Sequence, residues 1–196
     1  MKPTHTEADF EKTLIAKDEI QARVKELGAE LDACYRDSEV LVVAILSGSL
    51  LFAADLMRNV SFPSRLDFLS VSSYGDKMSS SGLEPSIVNT LKNDITGQNI
   101  LIVDDILDTG KTLQSITRRF AEKSPASIKT CVLLDKPSRR SADLDADFKG
   151  FTIPDAFVVG YGLDFAERYR NLSSIGTLKL ELQDASLHKP RDYAAI

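Results

Sequence analysis

Apolar positions change their spacing from segment to segment along this chain. Between Asp18 and Arg36, Ile20, Val24, Leu27 and Leu31 recur at three- and four-residue intervals with charged residues among them, which predicts an amphipathic helix. Val40 to Ile45 is an unbroken apolar run, closed by Ser47-Gly48-Ser49 and followed by a second helical stretch from Leu50 to Val60. Leu66, Phe68 and Val71 predict another strand, ending near Ser73-Tyr74. Gly75 to Ser86, rich in Ser, Gly and Lys, reads as a loop.

Beyond the loop, Ile87 to Leu91 reads as a short strand and Asp94 to Gly97 as a turn. Ile100 to Val103 shows no polar alternation, as expected of a central parallel strand covered on both faces. Leu113, Ile116 and Phe120 mark the buried side of a helix that Ser124-Pro125 ends, and Ile128 to Leu134 supplies the next strand. Residues 135–150 read as polar loop, Ala156 to Val159 as a further strand, and the region after Asp164 is mixed. Alternating strands and helices predict an α/β fold with a doubly wound parallel sheet.

Composition narrows the class. With 196 residues, 43% hydrophobic and 27% charged, the chain has the makeup of one globular domain, which sets aside disorder, collagen and coiled coil. A net charge of −5 argues against nonspecific binding to nucleic acid or an anionic membrane. Cys34 and Cys131 are too few for a disulfide framework and lack zinc-site spacing, so both are expected to be small core residues in a reducing compartment. The first ten residues carry no signal-peptide pattern and no run approaches the ~20 apolar residues of a membrane span, so a cytoplasmic location is expected.

The chemistry should gather where strands end, because a following helix presents unpaired N–H groups and the positive end of its dipole there. After Val103 come Asp104, Asp105 and Asp108, leading into Thr109, Gly110, Lys111 and Thr112 at a helix start. Gly110 permits close backbone approach to a phosphate, and the amides and threonine hydroxyls donate to it. The acids accept from a diol or hold its magnesium ion. One ligand needing both is a ribose 5-phosphate. Gly110-Lys111-Thr112 also ends like a nucleotide-binding P-loop, but that motif needs glycine where Asp105 stands. A turn with a solvated acidic cap is the remaining alternative.

Ile100 to Leu113 resembles the phosphoribosyl pyrophosphate signature of type I phosphoribosyltransferases, two hydrophobic residues and two acids before Asp108-Thr109-Gly110-Lys111-Thr112. Phe157-Val158-Val159-Gly160-Tyr161-Gly162-Leu163-Asp164, followed by Arg170-Asn171-Leu172, is similar to the hypoxanthine-guanine members. Leu134-Asp135-Lys136-Pro137 is similar to them as well, and the likeness covers about residues 12–180. It implies a single phosphoribosyltransferase domain over 1–196, with a core at about 37–155 and a small hood lobe from about 1–36 and 156–196.

By position, the resemblance implies that Asp104 and Asp105 face the ribose hydroxyls and Mg2+. Asp108 would be the catalytic residue at purine N7, and Thr109, Gly110, Lys111 and Thr112 would cradle the 5′-phosphate. Lys136 would contact the purine 6-oxo group; the alternative is a solvated loop charge beside Arg139 and Arg140, and the match favours function. Phe157, core on apolar pattern alone, would stack on the base while the Val158 backbone reads the purine edge. Asp164 would help hold a second Mg2+ beside the base's 2-substituent. Arg170 would contact pyrophosphate; as a pair with Arg168 it reads equally as a solvated helix face.

Ser47 and Gly48 occupy the turn whose amides bind pyrophosphate in the family, often as Leu-Lys-Gly with a non-proline cis peptide. Here serine replaces the lysine. Ser73 and Tyr74 resemble the residues that close a lid over the site. The implied activity is purine salvage by a pentosyltransferase: the 5-phosphoribosyl group passes from phosphoribosyl pyrophosphate to hypoxanthine or guanine, giving IMP or GMP and pyrophosphate. Purine base and phosphoribosyl pyrophosphate are the implied partners, with no nucleic acid, no membrane, and a homo-oligomer, dimer or tetramer. The alternatives are a xanthine-preferring enzyme and an RNA-binding regulator on the same scaffold.

Overall fold

The computed structural model describes residues 3–72, 86–87 and 91–184. In chain order the elements are β1 (Phe10–Ile15), α1 (Lys17–Tyr35), β2 (Val40–Leu46), α2 (Leu50–Met57), β3 (Ser64–Ser72), β4 (Ser86–Ile87), β5 (Asn99–Leu107), α3 (Lys111–Ala121), β6 (Ser127–Asp135), β7 (Phe148–Thr152), β8 (Val158–Val159) and β9 (Ile175–Leu178). They fall into two compact units, residues 22–155 and residues 1–21 with 156–196. The sequence places the start of the core near 37; the larger unit instead starts at Ala22 and so takes in most of α1, where Val24, Leu27, Leu31 and Tyr35 are all buried.

The larger unit is built on β3-β2-β5-β6-β7, all parallel, with β4 antiparallel on the outer edge of β3. Leu41, Val43 and Ile45 of β2 and Ile100 and Ile102 of β5 pack with Leu113, Ile116 and Phe120 of α3. The alternate residues Val40, Val42, Ala44, Leu101 and Val103 are buried as well, which is why these strands carry no polar alternation. α2 turns Phe52, Ala53 and Leu56 inward and stops at Met57, three residues before the expected end. There Asn59 Nδ2 donates to the Asp55 carbonyl. Among the described residues, no helix is long and apolar enough to cross a membrane.

Three strands were not legible as strands. β7 lies where the sequence reads as polar loop: it is an edge strand with half-buried residues, and Gly150 interrupts its apolar pattern because a Cβ there would overlap the Leu133 backbone. β1 and β9 pair antiparallel in the smaller unit, with β8 on the far side of β9. β1 buries only Phe10 and Ile15 firmly and exposes Glu11, Lys12 and Thr13, too weak a pattern to read. Of the strand expected over Ile87 to Leu91, Ile87 belongs to β4, and residues 88–90 lie outside the described residues, as do Ser73, Tyr74 and the loop that follows them.

Cys34 corrects another expectation. Cys131 is buried but Cys34 is exposed, since Tyr35 rather than its neighbour continues the buried stripe of α1. In the smaller unit, Phe10, Val159, Tyr169, Leu172, Leu178 and Leu182 form a core. Asp9, fully buried beside it, accepts bonds from the Thr4 amide and hydroxyl, the His5 amide and the Tyr169 hydroxyl.

Asp67 is the matching buried carboxylate of the larger unit. It accepts from the amides of Phe68, Lys92 and Asn93 and from Asn93 Nδ2, at 2.8, 2.8, 3.2 and 3.0 Å. Burial pushes its pKa up, but these donors outweigh burial and hold it below the usual value of 3.8. A depressed folded-state pKa contributes stability that is fully present above the unfolded value and is lost as pH falls through the folded one. Asp67→Asn is therefore expected to lower Tm most above about pH 4, with the gap from the parent closing in stronger acid. Thermal unfolding of both proteins from pH 2 to 7 checks this; a gap constant across that range would deny the charge any part.

Candidate functional site

β2 and β5 are neighbours, yet the chain leaves β2 for β3 on one side and β5 for β6 and β7 on the other. Between their carboxyl ends lies the switch point where ligands of open α/β sheets collect. Ala44 pairs with Val103, so Ser47 and Gly48 follow the end of β2 while Asp104 to Leu107 extend β5 beyond it. The Leu46–Ser47 peptide is cis. Ser49 is buried and its hydroxyl donates to the Ile45 carbonyl at 2.6 Å, anchoring the chain where α2 begins. A Cβ on Gly48 would overlap the Asp105 carboxylate, so glycine is what lets this carboxylate lie against the turn.

Asp104 is buried and accepts from the Asp105 amide at 3.0 Å. Burial first, and the adjacent Asp105 charge second, hold its carboxyl well above the usual carboxylate range. Two adjacent carboxylates form a partial oxygen donor set of the kind that Mg2+ completes with water and substrate oxygens. The chemistry of the pair thus fits the metal.

At the end of β5 the chain enters the start of α3. Gly110 has φ +81°, a left-handed conformation that favours glycine, and a Cβ there would lie 3.0 Å from Arg140 Cδ and 3.1 Å from Ala142 Cβ. The Gly110 carbonyl accepts the first helical bond, from Gln114 N at 2.9 Å. The amides before Gln114 therefore have no partner within the helix, although Lys111 N reaches Thr109 Oγ1 at 3.5 Å. Thr109 and Thr112 are half-buried and Lys111 is exposed. This is an anion-binding helix start, immediately downstream of three acids.

Asp108 stands between the two. Arg139 Nε is 3.1 Å from its Oδ1, but the contact is not aligned as a hydrogen bond, and this buried oxygen has no aligned donor among the described residues. It is an acceptor in want of a proton donor. Lys136 is placed by the same strands: Leu107 pairs with Asp135, and the Lys136 amide donates to the Leu107 carbonyl at 3.0 Å. Its side chain is buried rather than solvated, with Nζ 3.8 Å from an Asp155 carboxylate that is itself exposed.

The smaller unit holds the other expected residues. Phe157 is not core: it is 46% exposed, standing just before β8 with its ring edge-on to Phe165 at 5.4 Å. Val158 is buried and pairs with Thr177. Arg168 and Arg170 are not on a helix, because Tyr161, Ala166, Glu167 and Tyr169 all have positive φ and coil the segment into turns. Arg170 Nη2 lies 2.7 Å from Asp164 Oδ1, and its Nη1 donates to the Gly162 carbonyl at 2.7 Å. Asp164 Oδ2 accepts from the Glu167 amide at 2.8 Å. These turns bring Asp164 and Arg170 together.

In the larger unit, then, the fold gathers Ser47 and Gly48 after β2 and Asp104, Asp105 and Asp108 to Thr112 at the end of β5 and just beyond it, with Lys136 after the next strand, β6. Arg139, Arg140 and Asp155 join them without having been singled out. Their one sequence signal is a pair of arginines close behind Lys136, which reads as ordinary loop charge.

The phosphoribosyl transferase domain family model matches residues 13–166. Hypoxanthine-guanine phosphoribosyltransferase of Bacillus subtilis (strain 168) is 52% identical over 171 residues, covering 87% of this chain and 94% of that protein. Hypoxanthine phosphoribosyltransferase of Salmonella typhimurium is 46% identical over 169 residues, covering 85% of this chain and 94% of that protein. Among solved structures, a hypoxanthine phosphoribosyltransferase from Staphylococcus aureus superimposes with a TM-score of 0.84 at 44% identity, over 89% of this chain and 94% of that one.

Proposed function

The chain belongs to the phosphoribosyl transferase domain family, and from that membership we propose that it transfers the 5-phosphoribosyl group from phosphoribosyl pyrophosphate to N9 of hypoxanthine or guanine. The bond from the anomeric carbon to pyrophosphate breaks, the N9 bond forms, and the base gives up one proton. The observation that carries the reading is the run from Asp104 to Thr112, which sets two carboxylates and an unsatisfied Asp108 oxygen directly before an anion-binding helix start.

In this reading the start of α3 holds the 5′-phosphate through Thr109, Gly110, Lys111 and Thr112, and Asp104 and Asp105 take the ribose hydroxyls. The Asp108 carboxylate accepts the proton at purine N7, so that the N9 lone pair is the nucleophile. Lys136 donates to the 6-oxo oxygen; a 6-amino group offers it no acceptor. We assign Phe157 to stack on the base, the Val158 backbone to its edge, and Arg170 with the Ser47 and Gly48 amides to pyrophosphate. A guanidinium has five N–H donors, and the two side-chain contacts of Arg170 among the described residues use two of them. Mg2+, held by Asp104 and Asp105 and a second ion by Asp164, would neutralise the leaving group. Ser73 and Tyr74 as a lid, a homo-oligomeric state and a cytoplasmic location complete the reading.

A panel of hypoxanthine, guanine, xanthine and adenine with phosphoribosyl pyrophosphate tests it. Turnover of the first two with little adenine use is expected, and calorimetric binding of phosphoribosyl pyrophosphate should strengthen with Mg2+ in the parent far more than in an Asp104→Asn/Asp105→Asn variant. Preference for xanthine would reassign the base, and RNA binding without purine turnover would overturn the reading.

A further inference from the structure

Arg140 has no part in the scheme above, yet it is the most heavily committed cation near it. Its guanidinium is 15% exposed and makes an ion pair through Nη2 with Asp135, which is 4% exposed. It also donates to three backbone carbonyls: Nε to Asp108 at 3.1 Å, Nη2 to Leu107 at 3.2 Å and Nη1 to Leu144 at 2.8 Å. Its Cδ lies 3.0 Å from where a Cβ on Gly110 would be, and the next two amides, Ser141 N and Ala142 N, both donate to the Thr109 carbonyl at 3.0 Å.

We infer that Arg140 is a positioning residue that brackets the end of β5 against the end of β6, fixing the backbone from Leu107 to Gly110 from behind. The inference rests on the reading that this backbone carries Asp108 and the 5′-phosphate amides. The planar fork is what the task requires: it faces three carbonyls and a carboxylate at once, whereas an ammonium is a point donor on a flexible stem. The bracket holds the main chain, so its loss displaces the phosphate-binding amides and the Asp108 side chain together. Lys136 hangs on β6, whose ladder to β5 also runs from Asn99 and Ser127 to Ile106 and Leu134, pairs that Arg140 does not touch. Arg140 therefore governs the phosphoribosyl pyrophosphate side of the site and leaves recognition of the base to Lys136. Misplacement of about 1 Å in such a site lowers rate by roughly 100-fold.

Arg140→Lys separates this role from charge balance, since lysine keeps the counter-charge for Asp135 but cannot span the carbonyls. The expected result is a KM for phosphoribosyl pyrophosphate raised roughly 10- to 100-fold with a fall in kcat, while KM for hypoxanthine stays within about twofold. A parent-like KM for phosphoribosyl pyrophosphate, or an equal rise in both KM values, overturns the bracket. If the lysine variant folds poorly, Asp135→Asn decides: it removes the ion pair and leaves the three carbonyl bonds, so near-parent kinetics support the bracket and a phosphoribosyl pyrophosphate-selective loss overturns it. Thr112→Val tests the underlying reading by itself. An unchanged KM for phosphoribosyl pyrophosphate there refutes the phosphate site, whereas a raised value beside a parent-like Arg140→Lys refutes only Arg140.

Discussion

Asp108→Asn is expected to lower kcat by about 10²- to 10⁴-fold while leaving the affinity for phosphoribosyl pyrophosphate close to the parent's. The side chain sits on a backbone fixed from two directions, by the β5–β6 ladder and by Arg140, so the amide replaces the carboxylate without moving the phosphate-binding turn. What changes is proton chemistry. Among the described residues Oδ1 has no aligned donor, and a carboxylate there takes a proton that a carboxamide cannot. Single-turnover kinetics with hypoxanthine measure the step directly, and a near-parent rate would remove Asp108 from the chemistry.

The second large effect is expected from Lys136→Ala, which should weaken use of hypoxanthine and guanine by about 10- to 150-fold, the worth of a charged hydrogen bond of about 1.5–3 kcal/mol. The Lys136 amide bond to Leu107 survives the substitution, so the strand end keeps its place. Among the described residues, the acid partner of the buried ammonium is Asp155 at 3.8 Å, an exposed group that binds it weakly. Steady-state KM values for base and phosphoribosyl pyrophosphate separate the outcomes: a selective loss for the base is expected, and equal losses for both substrates would make Lys136 a structural residue.

β2 and the runs Ile100–Val103 of β5 and Cys131–Leu134 of β6 are plain in the sequence because both faces are covered there, so these residues are apolar without interruption. β1, β7 and β9 are edge or short strands whose partners supply what their own side chains lack, and nothing local marks them. The run from Asp104 to Thr112 is legible because one contiguous segment carries the chemistry. Arg140 is not, since its role lies in which carbonyls it faces, and a loop arginine reads as solvated charge until the fold closes over it. Phe157 misleads for a related reason: it belongs to an apolar run, but β8 starts one residue later and leaves its ring outside. The pairing of Asp164 with Arg170 depends on left-handed turns at non-glycine residues, which no spacing rule anticipates.

The pairing of β1 with β9 sets an order of events during synthesis. Ile15 faces Ile175, so β1 is made about 160 residues before the strand that completes it, roughly 8 to 30 seconds at ordinary elongation rates. The parallel sheet of residues 22–155 has all its strands in hand once Thr152 is made, before β9 begins at Ile175. During that interval β1 is an unpaired edge, the kind of strand that invites association with other chains. Glu11 and Lys12, exposed at its centre, put charge where a foreign strand would have to dock, and so protect the nascent protein during the wait for β9.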